Sequence, residues 1–419
     1  MQKPSVLFIN RIYPQARSDK GRAASGRLLK DLAREFARQG WSVRVLTTGE
    51  RGGKEMDGPI AIRRVRASDQ PRGKMRYGLI WIKLFIRGLF MPRSDVVITM
   101  SDPPLLAIAG GWLARIKGAK HLHWAQELYP DLFPVLGFNF HGGVMRWMKA
   151  RMFKALNSSE RIIAVGQCMG ERLKFQGVAA PQISIIPNWP ERVLAHDIQI
   201  KPKPQKNNAQ NKPLPVGAKA MSEMLSGAPK FRILYAGTIG LAHPIDTILR
   251  AAEILESKHD DIEFVFTGNG AGFDLLSEQR DKRGLQNIRL IPFQPASRLR
   301  EMMESGDVHL ITMKQGAAGM MVPSKLYAAM AVARPCVFIG PKQSEAAQVI
   351  EEFGAGAVIS HGDADALAAQ IRQYREDSEA WFAAHEGAAK AGTIFKPHDH
   401  MRAFIERVNK AAGYIPPSP

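Results

Sequence analysis

The chain opens twice in the same way. A short apolar run, Ser5–Asn10 (SVLFIN), passes through Gly21 and Gly26 into an amphipathic helical pattern that begins near Arg27. In the second half, Phe231–Ala236 (FRILYA) passes through Gly237 and Gly240 into a helical pattern over Ile245–His259. A buried strand, a glycine turn and a helix start form the building block of doubly wound sheets, and the helix start is a natural seat for an anion. Two such blocks predict two α/β domains, each a Rossmann-like doubly wound sheet, facing a central cleft. Such a cleft suits a phosphate-bearing ligand on one side and an acceptor on the other.

The length of 419 residues exceeds what one hydrophobic core serves and agrees with two domains. The strand-like runs that follow the first block are Val43–Thr47, Asp95–Thr99, His121–Ala125, Arg161–Val165 and Ile183–Ile186. Helical patterns lie between them; Arg27–Gln39 stops at Gly40 and Leu105–Lys117 at Gly118, both good C-terminal stops. Short apolar strands alternating with helices imply a parallel sheet covered on both faces. The second half repeats the alternation with Ile262–Thr267, Ile288–Pro292, Val308–Thr312 and Cys336–Ile339. Between the halves the pattern collapses into Pro, Lys, Asn and Ala, which reads as a linker or insertion. The expected division is therefore 1–198, an N-terminal acceptor domain; 199–230, a linker; 231–397, a C-terminal donor domain; and 398–419, a terminal helix that packs back on the first domain.

Charge is distributed unevenly. The formal net charge is +19, and residues 1–93 alone carry 21 Lys and Arg against 7 Asp and Glu, while 231–419 carry 20 against 23. A one-sided basic field attracts a polyanion or an anionic membrane surface. The segment Tyr77–Phe90 (YGLIWIKLFIRGLF) favours the membrane over nucleic acid. It is strongly apolar, yet Lys83 and Arg87 stand four residues apart on one helical face, with Arg72, Lys74, Arg76 and Arg93 as flanks. Val144–Phe153 (VMRWMKARMF) is a second segment of this kind. The alternative for both is a core-facing helix whose basic residues are merely solvated. No uncharged run reaches the ~20 residues that span a bilayer. The N-terminus enters a strand after four residues without a secretory pattern, and the two cysteines, Cys168 and Cys336, fit a reducing compartment. The expected location is cytoplasmic, peripheral on the inner face of the cytoplasmic membrane.

The sharpest local signal is Val322-Pro-Ser-Lys-Leu-Tyr-Ala-Ala-Met-Ala331 followed by Ala333-Arg-Pro335. Pro323 and Ser324 mark a helix start, so Lys325 falls in a first turn whose amides lack helical partners. An ammonium there suits a diphosphate whose charge grows as its bond to a sugar breaks. Alternatively, Lys325 is a solvated lysine on a surface helix. His121 and His123 share one strand face but have no third ligand at metal-binding spacing, which favours a structural pair. Neither a G-x-S-x-G nucleophile turn nor a G-x-x-x-x-G-K-[ST] loop is present.

The chain resembles the GT-B glycosyltransferases of family 4, in the subgroup that serves bacterial exopolysaccharide, O-antigen and colanic-acid assembly. The resemblance is carried, in order, by Tyr13-Pro14, Trp124-Ala-Gln-Glu-Leu-Tyr-Pro130, Ile186-Pro-Asn-Trp189, Tyr235-Ala-Gly-Thr-Ile-Gly240 and Phe266-Thr-Gly-Asn-Gly270. Asp307-Val-His-Leu310, the VPSKLYAAMAVARP stretch and Phe353-Gly-Ala-Gly356 continue it. It implies that Gly237, Thr238 and Gly240 form the donor loop near the nucleotide sugar's phosphates, with Ser324 and Lys325 at the diphosphate. Gly268 and Gly270 would line the donor side, and Phe293 and Gln294 would meet the base. Gln126 and Glu127 match the subgroup's Gln-Asp pair near the transferred sugar and acceptor, and, with Lys325, are the implied catalytic residues; Glu127 could instead serve as a cap or a buried hydrogen-bond partner. Tyr13 and Gly21 are the implied acceptor-side positions.

The implied activity is retaining, metal-independent and cofactor-free transfer from a nucleotide-diphosphate sugar to a polyprenyl-diphosphate-linked glycan. The chain departs from the family pattern where two glutamates spaced E-x7-E are usual: Met320 and Ala328 occupy those positions, and Thr238 and His243 replace an arginine and a lysine. Loss of a charged ribose contact would weaken donor binding by roughly 1–3 kcal/mol. A nucleotide-sugar epimerase of the same fold, or a membrane-associated binding protein that has lost catalysis, are the alternatives.

Overall fold

The computed structural model describes residues 3–14, 24–68, 73–195, 230–240 and 244–415. Gly21, His243, Arg72 and nearly all of the 199–230 linker lie outside the described residues. The chain divides into two compact units, one formed by 1–188 with 319–322 and 398–419, the other by 189–318 with 323–397. The second unit thus begins at Trp189, ten residues before the expected linker, and Leu194 sits in its core with Leu234 and Met302. The terminal helix Pro397–Ala412 belongs to the first unit, where Phe404 packs edge-on to Trp124 at 4.9 Å.

The first unit holds an eight-stranded sheet of β1 (Ser5–Ile9), β2 (Ser42–Gly49), β3 (Gly53–Asp57), β4 (Ile60–Arg66), β5 (Val96–Thr99), β6 (Lys120–Ala125), β7 (Arg161–Ala164) and β8 (Ile183–Ile185). Its order is β3-β4-β2-β1-β5-β6-β7-β8, parallel except for the β3–β4 hairpin at one edge. That hairpin escapes the sequence reading because Gly53–Asp57 (GKEMD) is an exposed edge with no apolar alternation. The apolar runs of β1 and β5 are buried on both faces, as parallel strands require.

The helix Leu106–Lys117 shows how closely its layer sits. A Cβ on Gly110 would come within 2.3 Å of Thr99 Cγ2 and 2.5 Å of His121 Nε2, and a Cβ on Gly88, in the helix Lys74–Leu89, within 2.6 Å of Leu113 Cδ1. His121 and His123 flank the Thr99 hydroxyl at 2.9 and 3.0 Å, and burial holds their pKa values at about 3 and about 4. They are neutral parts of the core.

The second unit holds a six-stranded parallel sheet of β9 (Phe231–Ala236), β10 (Ile262–Thr267), β11 (Ile288–Ile291), β12 (Val308–Thr312), β13 (Cys336–Ile339) and β14 (Gly356–Ile359). The order β11-β10-β9-β12-β13-β14 reverses direction at β9, between β10 and β12. Phe231, Ile233 and Tyr235 face one apolar layer and Leu234 the other, which is why FRILYA shows no polar alternation.

The two neighbouring glycines of the helix Leu106–Lys117 give opposite expectations. Gly110→Ala forces a methyl into Thr99 and His121 and should destabilise the protein by about 1–3 kcal/mol. Gly111, whose added Cβ meets nothing nearer than 3.8 Å, should tolerate alanine with a gain of about 0.5–1 kcal/mol from helix propensity. Urea denaturation of the two variants checks this.

Candidate active site

In a doubly wound sheet the ligand site lies beyond the C-terminal strand ends at the point where the strand order reverses. In the second unit that point is the end of β9, and the glycine loop Gly237–Gly240 follows it directly. The loop is bound to the one after β10 chiefly through backbone. Gly237 donates to the Thr267 carbonyl at 2.8 Å, Ile239 to the Asn269 carbonyl at 2.9 Å, and Gly272 to the Ile239 carbonyl at 3.0 Å. Two glycines make this approach possible. A Cβ on Gly268 would lie 2.1 Å from the Gly237 carbonyl oxygen, and one on Gly270 2.6 Å from that of Ile239. Both have positive φ, 154° and 111°, so a side chain is excluded by backbone as well as by space.

Lys325 opens the helix Lys325–Ala331 and reaches back to this loop. Its Nζ donates to the Thr238 carbonyl at 3.1 Å and stands 4.9 Å from the centre of the Tyr235 ring, while its Cε would be 3.3 Å from a Cβ on Gly237. Among the described residues it has no carboxylate partner, and burial alone lowers its pKa to about 8. The result is a half-buried ammonium, still charged at neutral pH, with no acidic partner among the described residues. Ser324 precedes it without a side-chain capping bond. The amides of Gly237 and Ile239 are engaged by neighbouring carbonyls, which leaves the glycine surface and the adjoining lysine on the loop's open side. Thr238 Oγ1 bonds the Asn269 side chain at 3.1 Å, Phe293 is exposed, and Gln294 is buried with its amide on the Pro292 carbonyl at 2.8 Å.

The first unit has its own reversal point, at β1 between β2 and β5. The loops on either side are joined by Arg11 and Asp102. The Arg11 amide donates to the Asp102 carbonyl at 2.6 Å, and its guanidinium Nε donates to Asp102 Oδ1 at 2.7 Å. The hydroxyls of Thr47 and Thr48 donate to the Arg11 carbonyl at 2.9 and 2.8 Å and hold it from the β2 side. The Tyr77 ring lies 5.7 Å from the Arg11 guanidinium. Glu127, two residues past β6, enters this group with Tyr129 as its hydrogen-bond partner. Burial first, then repulsion from Asp102, pushes its pKa up to about 7 against the opposing pull of Arg11.

Sequence reading found Gln126 and Glu127 but not Arg11, Tyr77, Asp102 or Tyr129. Arg11 and Asp102 sit just past the ends of β1 and β5, so the only signal was their place beside the reversal point. Gln126 exchanges two amide hydrogen bonds with Asn188, at 3.0 and 2.8 Å, and so orients the segment. Ser101 Oγ accepts from the Gln126 and Glu127 amides and donates to the Glu127 carbonyl. Leu128 donates to the Met320 carbonyl at 2.8 Å, and Glu127 and Met321 form a single antiparallel bridge. Tyr13 is elsewhere: it is buried, and its hydroxyl donates to Asp57 Oδ2 at 2.9 Å in a cluster with Arg34 and Lys30. Among the described residues no group of three His, Cys, Asp or Glu is placed to hold a metal ion, and no helix is long and apolar enough to cross a membrane.

Two paired-loop sites on two doubly wound sheets define the class, a GT-B glycosyltransferase fold, and solved structures agree. HepE from Anabaena in complex with UDP-glucose superposes with a TM-score of 0.69 at 15% identity, covering 97% of this chain and 99% of that one. WaaG, a glycosyltransferase involved in lipopolysaccharide biosynthesis, gives 0.69 at 15%, covering 95% and 99%. Residues 24–189 match the glycosyl transferase 4-like domain and residues 221–392 the glycosyl transferases group 1 family. The chain belongs to the GT4-like glycosyltransferases. It is 28% identical over 276 residues to the colanic acid biosynthesis glycosyl transferase WcaI of Escherichia coli K12, a match spanning 64% of each chain and so just under two thirds of that relative. It is 24% identical over 286 residues to the glycosyltransferase WbjE of Pseudomonas aeruginosa, 68% of this chain and 67% of that one.

Glu127 supplies a pH test. Its carboxyl keeps its proton up to about pH 7 rather than about 4.5, so the folded state binds the extra proton between those values. Stability should therefore fall as pH rises through that window. Asp102→Asn removes the repulsion and should move the Glu127 midpoint downward. Carbon NMR of labelled glutamate carboxyls reads both midpoints directly.

Proposed function

We propose that this protein transfers a sugar, with retention, from a nucleotide-diphosphate sugar to a polyprenyl-diphosphate-linked glycan during assembly of a bacterial surface polysaccharide, working from the inner face of the cytoplasmic membrane. The observation that carries the reading is Lys325: a half-buried cation with no carboxylate partner among the described residues, fixed against a glycine loop at the strand-order reversal of the second unit. Such a group fits the diphosphate of a donor and stabilises it most as the sugar–phosphate bond breaks and charge accumulates on the leaving oxygens. With a fixed ammonium at that point the leaving diphosphate needs no metal ion. The names of relatives, WcaI for colanic acid and WaaG for lipopolysaccharide, support the polysaccharide setting, and the UDP-glucose complex of HepE supports a nucleotide-sugar donor.

In this reading Glu127 stands on the acceptor side. A carboxyl that exchanges its proton near neutrality can orient the acceptor hydroxyl and take part in its deprotonation. Tyr129 hydrogen-bonds that carboxyl, Arg11 and Asp102 tune its charge from opposite sides, and Gln126 aligns its backbone. Neither Met320 nor Ala328 can grip the ribose or the sugar as an acid would, so donor binding depends more heavily on the lysine.

Transfer of labelled sugar from UDP-, GDP- and dTDP-sugars to a polyprenyl-diphosphate glycan tests the proposal. Lys325→Ala should lower transfer about 10- to 100-fold, the loss expected for a charge-assisted contact. Undiminished transfer would remove the lysine from the mechanism. No thermal stabilisation by any of these nucleotide sugars would remove the donor assignment.

A further inference from the structure

We propose that three adjoining helices of the first unit, Lys74–Leu89, Leu106–Lys117 and Gly142–Asn157, form one face that docks on an anionic lipid bilayer. The inference rests on the lipid-linked acceptor proposed above and names the surface that meets the lipid.

The helices pack side by side, the middle one touching both others. On Lys74–Leu89, Ile80, Leu84 and Gly88 face inward, while Leu79, Ile82 and Ile86 lie outward at 52%, 48% and 49% exposure, with Phe90 beyond them at 73%. The outward residues recur at helical spacing, so this helix is apolar on both sides. Trp112 and Ile116, four apart on the middle helix, are exposed beside it, and Trp112 stacks edge-on to Trp81 and Phe85. Val144 and Trp147 continue the exposed apolar surface on the third helix. A soluble surface does not normally leave this many large apolar side chains in water.

Charge decides the occupant. The three helices carry four, two and four Lys or Arg, and not one Asp or Glu, in a chain with 39 acids overall. Some of these cations are held by the protein: Lys117 Nζ donates to the carbonyls of Leu89 and Met91 at 3.1 and 2.6 Å and ties the first helix's end to the second, Lys74 Nζ donates to the Asn139 carbonyl at 2.6 Å, and Lys149 pairs with Asp131 at 2.7 Å. Lys83, exposed at the edge of this stripe, donates its Nζ to the Arg66 carbonyl at 3.1 Å. A protein partner packed on that stripe would have to desolvate such cations; a bilayer accepts the apolar side chains among its acyl chains and lets the cations reach lipid phosphates. Trp112 and Trp147 are of the type that settles at this boundary.

The same first helix reaches the acceptor-side cluster. Tyr77, in its first turn, lies against Arg11 and within the field of Asp102 and Glu127. Seating the helix in lipid therefore sets the cluster beside the membrane in which a lipid-linked acceptor is held.

The test is co-sedimentation of the full chain with vesicles of phosphatidylcholine alone and with added phosphatidylglycerol. The wild type should bind the anionic vesicles and bind neutral ones at least about tenfold more weakly. Ile82→Glu/Trp112→Glu should lose anionic-vesicle binding at least tenfold, as should the separate charge variant Lys83→Glu/Arg146→Glu, with unchanged melting temperature and unchanged response to nucleotide sugar. Equal binding of both vesicle types, binding of the variants like wild type, or concentration-dependent self-association lost in the variants without any vesicle binding would each overturn the proposal. Vesicle binding without sugar transfer would refute the function proposed above and leave this surface standing; nucleotide-sugar response without vesicle binding would do the reverse.

Discussion

The second unit is organised around one electrostatic problem: a half-buried ammonium group set against a carbonyl and an aromatic face. Lys325 meets Thr238 and Tyr235 and nothing acidic among the described residues. Holding a charge this way disfavours it and lowers its pKa. The geometry is kept because three glycines remove the side chains that would prevent it. Gly237 gives way to the lysine stem, and Gly268 and Gly270 let the neighbouring loop close on backbone carbonyls. Parallel pairing of β9 with β10 brings those loops to the same edge. A bound anion would relieve the penalty.

The first unit poses the converse problem. Glu127 is a carboxyl held in a desolvated place beside a second acid, and it keeps its proton to about pH 7. Arg11 limits the penalty but is itself committed to Asp102 at 2.7 Å. One unit thus holds a cation that survives to about pH 8, the other an acid that titrates near 7. Near neutrality, small changes in surroundings or ligand charge move either group, which is the condition under which acid–base groups work well.

The departures from the family's acidic pair acquire a physical setting. Met320 is 7% exposed, and its carbonyl is taken by the Leu128 amide. A glutamate there would meet a desolvation penalty next to Glu127's own segment. Ala328 packs against the apolar group of Leu194, Leu234 and Met302, where a carboxylate would be equally unwelcome. Both substitutions agree with their surroundings, and neither disturbs the lysine loop.

Much of the architecture was legible because parallel strands buried on both faces read as unbroken apolar runs and helices end at glycine. The β3–β4 edge was not, since an exposed polar strand carries no such signal. Lys325 and Glu127 could be singled out by motif, whereas Gly26, read as a turn before the helix, lies inside the helix Ala24–Arg38, where a Cβ would come within 2.6 Å of Ile12 Cγ2. Arg11, Asp102 and Tyr77, scattered over ninety residues, meet only because the sheet order places β1 beside β5 and lays a helix across them. Local sequence determined the strands, the glycine turns and the unbalanced charge of the three outward helices, because periodicity and backbone sterics act over a few residues. Only the tertiary structure decided which charges lose their water and which meet a partner, because desolvation and Coulomb energy depend on neighbours that the chain order keeps apart.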